Sequence, residues 1–302
     1  MGEIWRYRAA GPWLRIHRLW SKWAPTPPAA FRILTLHHTP PAQLQGLRRL
    51  LNYLLEGNGI LTPAEAESRL EARVQGPEGG RVPYLLTFDD GFSSNRGAAA
   101  EVLDPLGVKA VFFLCPGLMD LPPARQTEAI AHHICEGVVA TGELPRDMAL
   151  MSWEEAASLA AAGHTIGSHS LSHRRLAGLE SGAMAQEVAA AARLLEQRLG
   201  IKVTWFAYPF GDVDSIDAPS LGVVAREHRF CASGLRGLNS ARTHPLGLLR
   251  EEISLDAPFD YQRLILAGGL DVFYRRRRRR LEQMLRDSRS GAGEGRETCA
   301  AS

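Results

Sequence analysis

Thr87-Phe88-Asp89-Asp90-Gly91 sets two adjacent carboxylates at the end of a short apolar run. Neither is attractive inside an apolar strand, and like charges side by side repel. At a strand end, however, consecutive side chains point different ways, so one Asp can bind a metal while its neighbour faces a bound water. Gly91 lets the backbone turn sharply beside a ligand. An Asp-Asp-Gly turn that only caps the next helix would use the same residues. His169-Ser170-Leu171-Ser172-His173 spaces two imidazoles so that they can meet on one face of a helical turn and chelate a divalent ion, or else serve as surface or capping histidines. On one rim, Asp, His and His make three protein ligands and leave positions open for water and substrate. That arrangement suits a catalytic rather than a structural metal site.

A shared rim requires strands that deliver their ends to one place. Residues 31–36, 83–88, 109–114, 164–167 and 203–207 read as short apolar strands. Residues 44–57, 95–106, 152–162 and 182–199 read as helices, with a capping box from Ser152 to Glu155 and glycines closing the last two. Strand and helix in alternation mean parallel strands joined by crossovers, in an α/β sheet that either stays open or closes into a barrel. In both, chemistry sits at the carboxyl ends of the strands. His37 and His38 follow the first strand, the Asp pair the second, the His pair the fourth, and Tyr208-Pro209-Phe210-Gly211 the fifth. Residues 117–150 show no clean period and read as a loop-rich insertion with some helix.

Residues 86–92, Leu-Thr-Phe-Asp-Asp-Gly-Phe, residues 163–173, Gly-His-Thr-Ile-Gly-Ser-His-Ser-Leu-Ser-His, and Tyr208-Pro209-Phe210-Gly211 resemble the three motifs of the polysaccharide deacetylase family, carbohydrate esterase family four. The resemblance runs over roughly residues 30–255. It implies a distorted (β/α)7-type barrel, with Asp89 as general base and Asp90, His169 and His173 as metal ligands. Zinc is the default cation for such a set, and cobalt or nickel fit it. Two departures matter. Ala207 stands where the family usually has the Arg that holds the catalytic Asp, and no Leu-x-His motif follows residue 211. One branch of the family carries the acid on an N-terminal strand end, and Leu34-Thr35-Leu36-His37-His38-Thr39 is similar. It implies His37 as the acid, with His38 less favoured because it would point the other way. Arg250 either replaces the missing Arg as partner of Asp89 or forms a surface pair with Glu251 or Glu252. Tyr208 and Phe210 either stack on a sugar, with Pro209 and Gly211 beside them, or pack the barrel rim.

The rest of the chain narrows the function. Lys plus Arg is 35 and Asp plus Glu 33, so a net charge of +2 speaks against binding nucleic acid through bulk charge. Apolar residues at 45% and charged residues at 23% suit a packed core. Cys115, Cys135, Cys231 and Cys299 are too scattered for a disulfide framework or a Cys-based zinc site. The N-terminus shows no secretory pattern, so a cytoplasmic location is expected, including the inner face of the membrane. Trp5, Trp13, Trp20 and Trp23 alternate with Arg6, Arg8, Arg15, Arg18 and Lys22, and Trp13, Ile16, Leu19, Trp20 and Trp23 keep helical spacing. That pattern fits peripheral membrane contact through residues 1–28, or an amphipathic helix packed on its own domain. Six Arg, residues 275–280, form a solvated helix face or meet anionic lipid or phosphate, and disorder is expected after Asp287. The expected division is a basic Trp-rich segment at 1–28, the barrel at 29–273, and an Arg-rich helix end with a disordered tail at 274–302. The expected function is a metal-dependent hydrolase taking an N-acetyl group from an amino sugar of a polysaccharide or lipid-linked glycan. A deformylase or other C–N amide hydrolase of the same fold, and a non-catalytic glycan- or membrane-binding barrel, are the alternatives.

Overall fold

The structure is a computed structural model that describes residues 2–21, 26–71 and 81–294. Seven strands form one all-parallel sheet: β1 Arg32–Leu36, β2 Tyr84–Phe88, β3 Ala110–Leu114, β4 Thr165–Ser168, β5 Trp205–Ala207, β6 Phe230–Ala232 and β7 Arg250–Glu252. Their order is β6-β5-β4-β3-β2-β1-β7. A parallel bridge from Ala232 to Leu248, just ahead of β7, brings the two edges together and nearly closes the barrel. Five strands lie within two residues of where their apolar runs predict them. β6 and β7 are three residues each; β6, Phe-Cys-Ala, is apolar but too short to stand out, and β7 reads Arg-Glu-Glu, without the apolar run that marks a buried parallel strand.

Alternation along the strands separates two cores. Phe31, Ile33, Leu85, Val111, Phe113, Trp205, Phe230 and Leu248 fill the barrel, and Leu61, Ala66 and Leu70 pack against them. The last two belong to the helix Pro63–Leu70, which starts on a Thr62–Glu65 capping box with Pro at its first position. It plugs the end of the barrel where the strands begin, and Glu67 accepts 2.6 Å from Trp205 Nε1. Outward, Leu34, Leu36, Leu86 and Phe88 meet Leu47, Leu50, Leu51 and Leu54 of the amphipathic helix Leu44–Gly57. The predicted capping box at Ser152 and Glu155 opens the helix Trp153–Ala161, and Gly200 ends the helix Ala191–Leu199 in left-handed conformation. Residues 117–150 hold more helix than their sequence pattern indicates, in Pro123–Ala129 and its continuation Ile130–Ile134.

Both termini differ from expectation. The N-terminal helix, Gly2–Ser21, starts before Trp13, and it packs through Ala10 and Leu14 on Leu264 and through Tyr7 on Tyr261. Trp13, Ile16 and Leu19 are exposed, so of the two readings of that face, packing on its own domain does not hold for these three. Small Ala10 and Leu14 allow the close helix contact that a Trp face would not. The side chains of Trp5, Arg6, Arg18 and Trp20, and residues Lys22 and Trp23, lie outside the described residues. The Arg run opens a helix that continues to Glu294, past Asp287 where disorder is expected, because Leu281 and Leu285 are buried and anchor it; residues 295–302 lie outside the described ones. Among the described residues no helix is long and apolar enough to cross a membrane.

Gly167 in β4 sets how tightly the barrel can close. A Cβ there would lie 2.6 Å from the Phe113 ring and 3.1 Å from Trp205 O. Gly167→Ala is expected to cost about 1–3 kcal/mol of stability through overpacking, read as a lowered urea midpoint with an unchanged slope.

Candidate active site

The two carboxylates after β2 part because the backbone turns left-handed at both Asp90 (φ 70) and Gly91 (φ 73). Asp89 turns into the barrel, where Arg250 meets it in a fork: Nη1 donates to Oδ1 at 2.7 Å and Nη2 to Oδ2 at 2.8 Å. Arg250 Nε donates to Ser233 O at 2.8 Å and Nη1 also reaches Thr35 Oγ1 and Thr87 Oγ1, so the guanidinium is held on all sides. Arg250 and Asp89 are 2% and 3% exposed. Burial is the largest influence and would raise the Asp89 carboxyl, but the charge of Arg250, the nearby His169 and the hydrogen bonds from Arg250 together outweigh it and hold the pKa below the usual range. The alternative for Arg250, a surface pair with Glu251 or Glu252, is overturned. Glu251 alternates to the outside of the barrel and binds Arg32 and Arg236, and Arg32 in turn binds Asp271. Ala207 leaves no guanidinium on β5, and β7 supplies one from the other side.

Asp90 faces the His pair. Its Oδ1 lies 3.5 Å from His169 Nε2 and 3.3 Å from His173 Nε2. Three ligand atoms, one from each residue, fall within 4.8 Å of one another. Each imidazole makes its other contact with a backbone carbonyl, His169 Nδ1 to Ala207 O at 2.7 Å and His173 Nδ1 to His133 O at 2.9 Å. A carbonyl only accepts, so both Nδ1 atoms carry the proton and both Nε2 lone pairs converge beside Asp90. That donor set fits a divalent cation of the zinc, cobalt or nickel kind. Burial pushes the Asp90 carboxyl up; when the imidazoles are protonated, hydrogen bonds from His169 and His173 Nε2 pull it well below the usual value.

The His pair does not sit on a helical turn, as the spacing had suggested. Ser170 (φ 65) and His173 (φ 58) are left-handed, and they fold residues 169–173 back on themselves. Five hydrogen bonds hold this loop. Ser170 Oγ accepts from His173 N at 3.0 Å. The buried Glu187 carboxylate accepts from Ser172 N at 3.0 Å and Ser172 Oγ at 2.5 Å. Leu171 is tied at both ends, its N–H to Glu187 O and its carbonyl to Gly117 N, each at 2.9 Å.

The site opens into a cavity of about 210 Å³ whose walls include Thr35, His37, Ile134, Phe210, Gly234 and Glu252. His37 is exposed on its rim. His38 turns away, with Nδ1 3.0 Å from Ser94 Oγ and its ring edge-on to Phe92, and burial lowers its pKa. Tyr208 requires correction: it is 1% exposed and its hydroxyl donates to Gly211 O at 3.0 Å, so its ring cannot stack on a sugar. Pro209 is likewise buried. Phe210 (φ 64) lines the cavity against His173, with the Arg175 guanidinium 4.2 Å over its ring. Gly211 (φ 68) must be glycine, because a Cβ would lie 2.5 Å from Gly234 N.

Sequence reasoning missed Glu187, Ser233, Arg175, Ile134 and the carbonyl of His133. Glu187 had a signal, an acid in the Ala-rich first half of the helix at 182–199. The His133 carbonyl had none, since any residue supplies one. It also gives residues 117–150 a part in the site.

Arg250→Met leaves the Asp89 charge buried alone. The expected loss is about 3–5 kcal/mol at neutral pH. In the wild type the depressed pKa of Asp89 contributes stability above its unfolded value, about pH 4, that is lost as pH falls through the folded value. In the variant burial raises the carboxyl, and its cost grows as pH rises. Urea unfolding should therefore show a larger deficit at pH 7 than at pH 4, and none of that difference with Asp89→Asn added.

Residues 77–221 match the family model for polysaccharide deacetylases. A Bacillus subtilis (strain 168) protein named as a polysaccharide deacetylase, YxkH, is 28% identical over 159 residues, 52% of this chain and 47% of that protein. The chain thus spans about half the length of that curated relative. Solved structures share the fold. IcaB from Ammonifex degensii superposes with a TM-score of 0.57 at 20% identity, covering 80% of this chain and 97% of that one. The Streptococcus pyogenes deacetylase PplD, solved in complex with acetate, gives 0.58 at 19% over 80% and 99%. A de-N-acetylase from Aggregatibacter actinomycetemcomitans gives 0.59 at 15% over 78% and 100%. Its sequence match over residues 77–221 and its seven-stranded barrel agree in making the chain similar to the polysaccharide deacetylases.

Proposed function

We propose that this protein is a metal-dependent hydrolase that removes the N-acetyl group from an amino sugar of a polysaccharide or lipid-linked glycan. One observation carries the reading: a carboxylate held in a fork by Arg250 stands beside three convergent ligands, in a cavity with a histidine on its rim. Asp90, His169 and His173 would hold the cation, with zinc as the first choice and cobalt or nickel as substitutes. A divalent cation supplies two things an acetamide needs, a more acidic water and a polarised carbonyl.

The remaining roles fall to this chain's own side chains. Asp89, kept ionised by Arg250, accepts a proton from the attacking water, whose oxygen bonds to the acyl carbon. His37 donates a proton to the amide nitrogen as the C–N bond breaks, giving acetate and a free amine. The cavity is small, so an acetyl group enters and the sugar stays at the rim, near Phe210 and Arg175. A cytoplasmic substrate, or one at the inner face of a membrane, is part of the proposal. The fork from Arg250 weighs against the non-catalytic alternative, which rested on Ala207.

The test is metal content and acyl release on the same samples of full-length protein. Wild type stripped and reloaded with zinc, cobalt or nickel should hold about one ion per chain and release acetate from N-acetylated oligosaccharides. His169→Ala should lose both. Asp89→Asn and His37→Ala should keep the ion while the rate falls about 10²–10⁴-fold. Formate in place of acetate would favour the deformylase, and no ion bound under any loading would overturn the enzyme.

A further inference from the structure

The two ends of the chain leave residues that the site does not use, and these residues meet. Trp13, Ile16 and Leu19 of the N-terminal helix are 39%, 46% and 63% exposed, and Val272 and Phe273, just ahead of the last helix, are 47% and 70%. Trp13, Ile16, Val272, Arg275 and Arg278 line one groove. Trp13 Nε1 donates to Gly269 O at 2.9 Å and His17 Nε2 meets Ala267 O at 2.9 Å, so the segments are fastened together. Five large apolar side chains gathered on one surface are not the scattered exposure of an ordinary monomer.

The unpaired charge around them has one sign, since Asp271 in the groove is taken up by Arg32. Arg8 and Arg15 on the first helix and Arg275, Arg276 and Arg279 on the last are exposed. Among the described residues none of the five has an ion-pair partner. The other Arg of the run behave differently: Arg280 pairs with Asp214, Arg278 donates to the carbonyls of Arg236 and Asp271, and Arg277 lies against the Tyr274 ring. Val272, Arg275, Arg276 and Arg279 recur at helical spacing on one stripe, while Leu281 and Leu285 turn to the core.

We infer that this face docks on the surface of an anionic lipid bilayer. Trp, Ile, Leu, Val and Phe sit at headgroup depth, and the guanidiniums meet lipid phosphates. A second copy of the chain fits worse, since it would set the same Arg against one another. With no spanning helix among the described residues, the contact is peripheral.

The docking also sets the barrel's orientation. The same groove takes in Arg32, Val82 and Tyr84, where β1 and β2 begin, whereas Asp89 and Asp90 follow the end of β2. A five-residue strand separates the two levels by about 17 Å. The catalytic end therefore faces away from the bilayer, toward a glycan long enough to stand off it rather than a sugar at the headgroups. Only this last point rests on the proposed deacetylase reading; the docking does not.

Vesicle co-sedimentation of the full chain tests the docking without any activity assay. Binding is expected to phosphatidylglycerol–phosphatidylcholine vesicles, weakened by salt, with little to phosphatidylcholine alone. The triple variants Ile16→Ser/Leu19→Ser/Phe273→Ser and Arg275→Glu/Arg276→Glu/Arg279→Glu should each lower partitioning about tenfold or more. Both change exposed side chains only, and a melting curve like that of the wild type establishes that they fold. Three outcomes overturn the proposal: no wild-type binding to the anionic vesicles, equal binding by folded variants, or a dimer in sedimentation velocity that Phe273→Ser disperses.

Discussion

Two carboxylates in consecutive residues, both buried, cannot share one environment. Each needs its own positive or hydrogen-bonding neighbour, or it takes up a proton and its chemistry is lost. Asp89 and Asp90 meet this constraint by taking different partners across a left-handed turn, Arg250 for one and the His pair for the other. Much of the barrel's detail follows. Arg250 must reach Asp89 from across the interior, so β7 must lie beside β1 and carry charge on a strand that would otherwise be apolar. The His loop must come close to Asp90, so β4 must run near β5 and its Gly167 must be bare.

Neighbouring residues of β7 do opposite work because a strand alternates. Arg250 points inward to Asp89, and Glu251 points outward to Arg32 and Arg236. Each charge is satisfied on its own side of the sheet, which lets a polar triplet serve as a buried strand at the end of the parallel sheet. The backbone around the site is less relaxed. Asp90, Ser170, His173 and Phe210 all have positive φ without being glycine, at about 1–3 kcal/mol each. Glu187, the Ser170 hydroxyl and the Arg175 guanidinium are the contacts that offset this.

What could be read from residues alone followed the strength of the local pattern. Five strands announce themselves as apolar runs, and Asp89, Asp90, His169 and His173 as polar residues placed where those runs stop. β6 and β7 leave no such trace, being short and, in β7, charged. Arg250 was open between two partners because linear order does not say which face of a strand points inward. Tyr208 was misjudged for a related reason: an aromatic in a motif looks the same whether its ring reaches solvent or fills the rim. The N-terminal helix was recognised and its packed face was not, since Ala10, which carries that face with Leu14, is a weak signal beside four Trp.

The position of Arg250 has a consequence for how the molecule comes into being. Asp89 leaves the ribosome long before its guanidinium partner, with 160 residues between them in the chain. Until β7 docks beside β1, a barrel of six strands would hold a carboxylate in its interior with nothing opposite. Such an intermediate is discouraged by the same interaction that later organises the site. Closing the barrel and completing its chemistry are thus one event in assembly, and a chain cut short of its last strand would lack both.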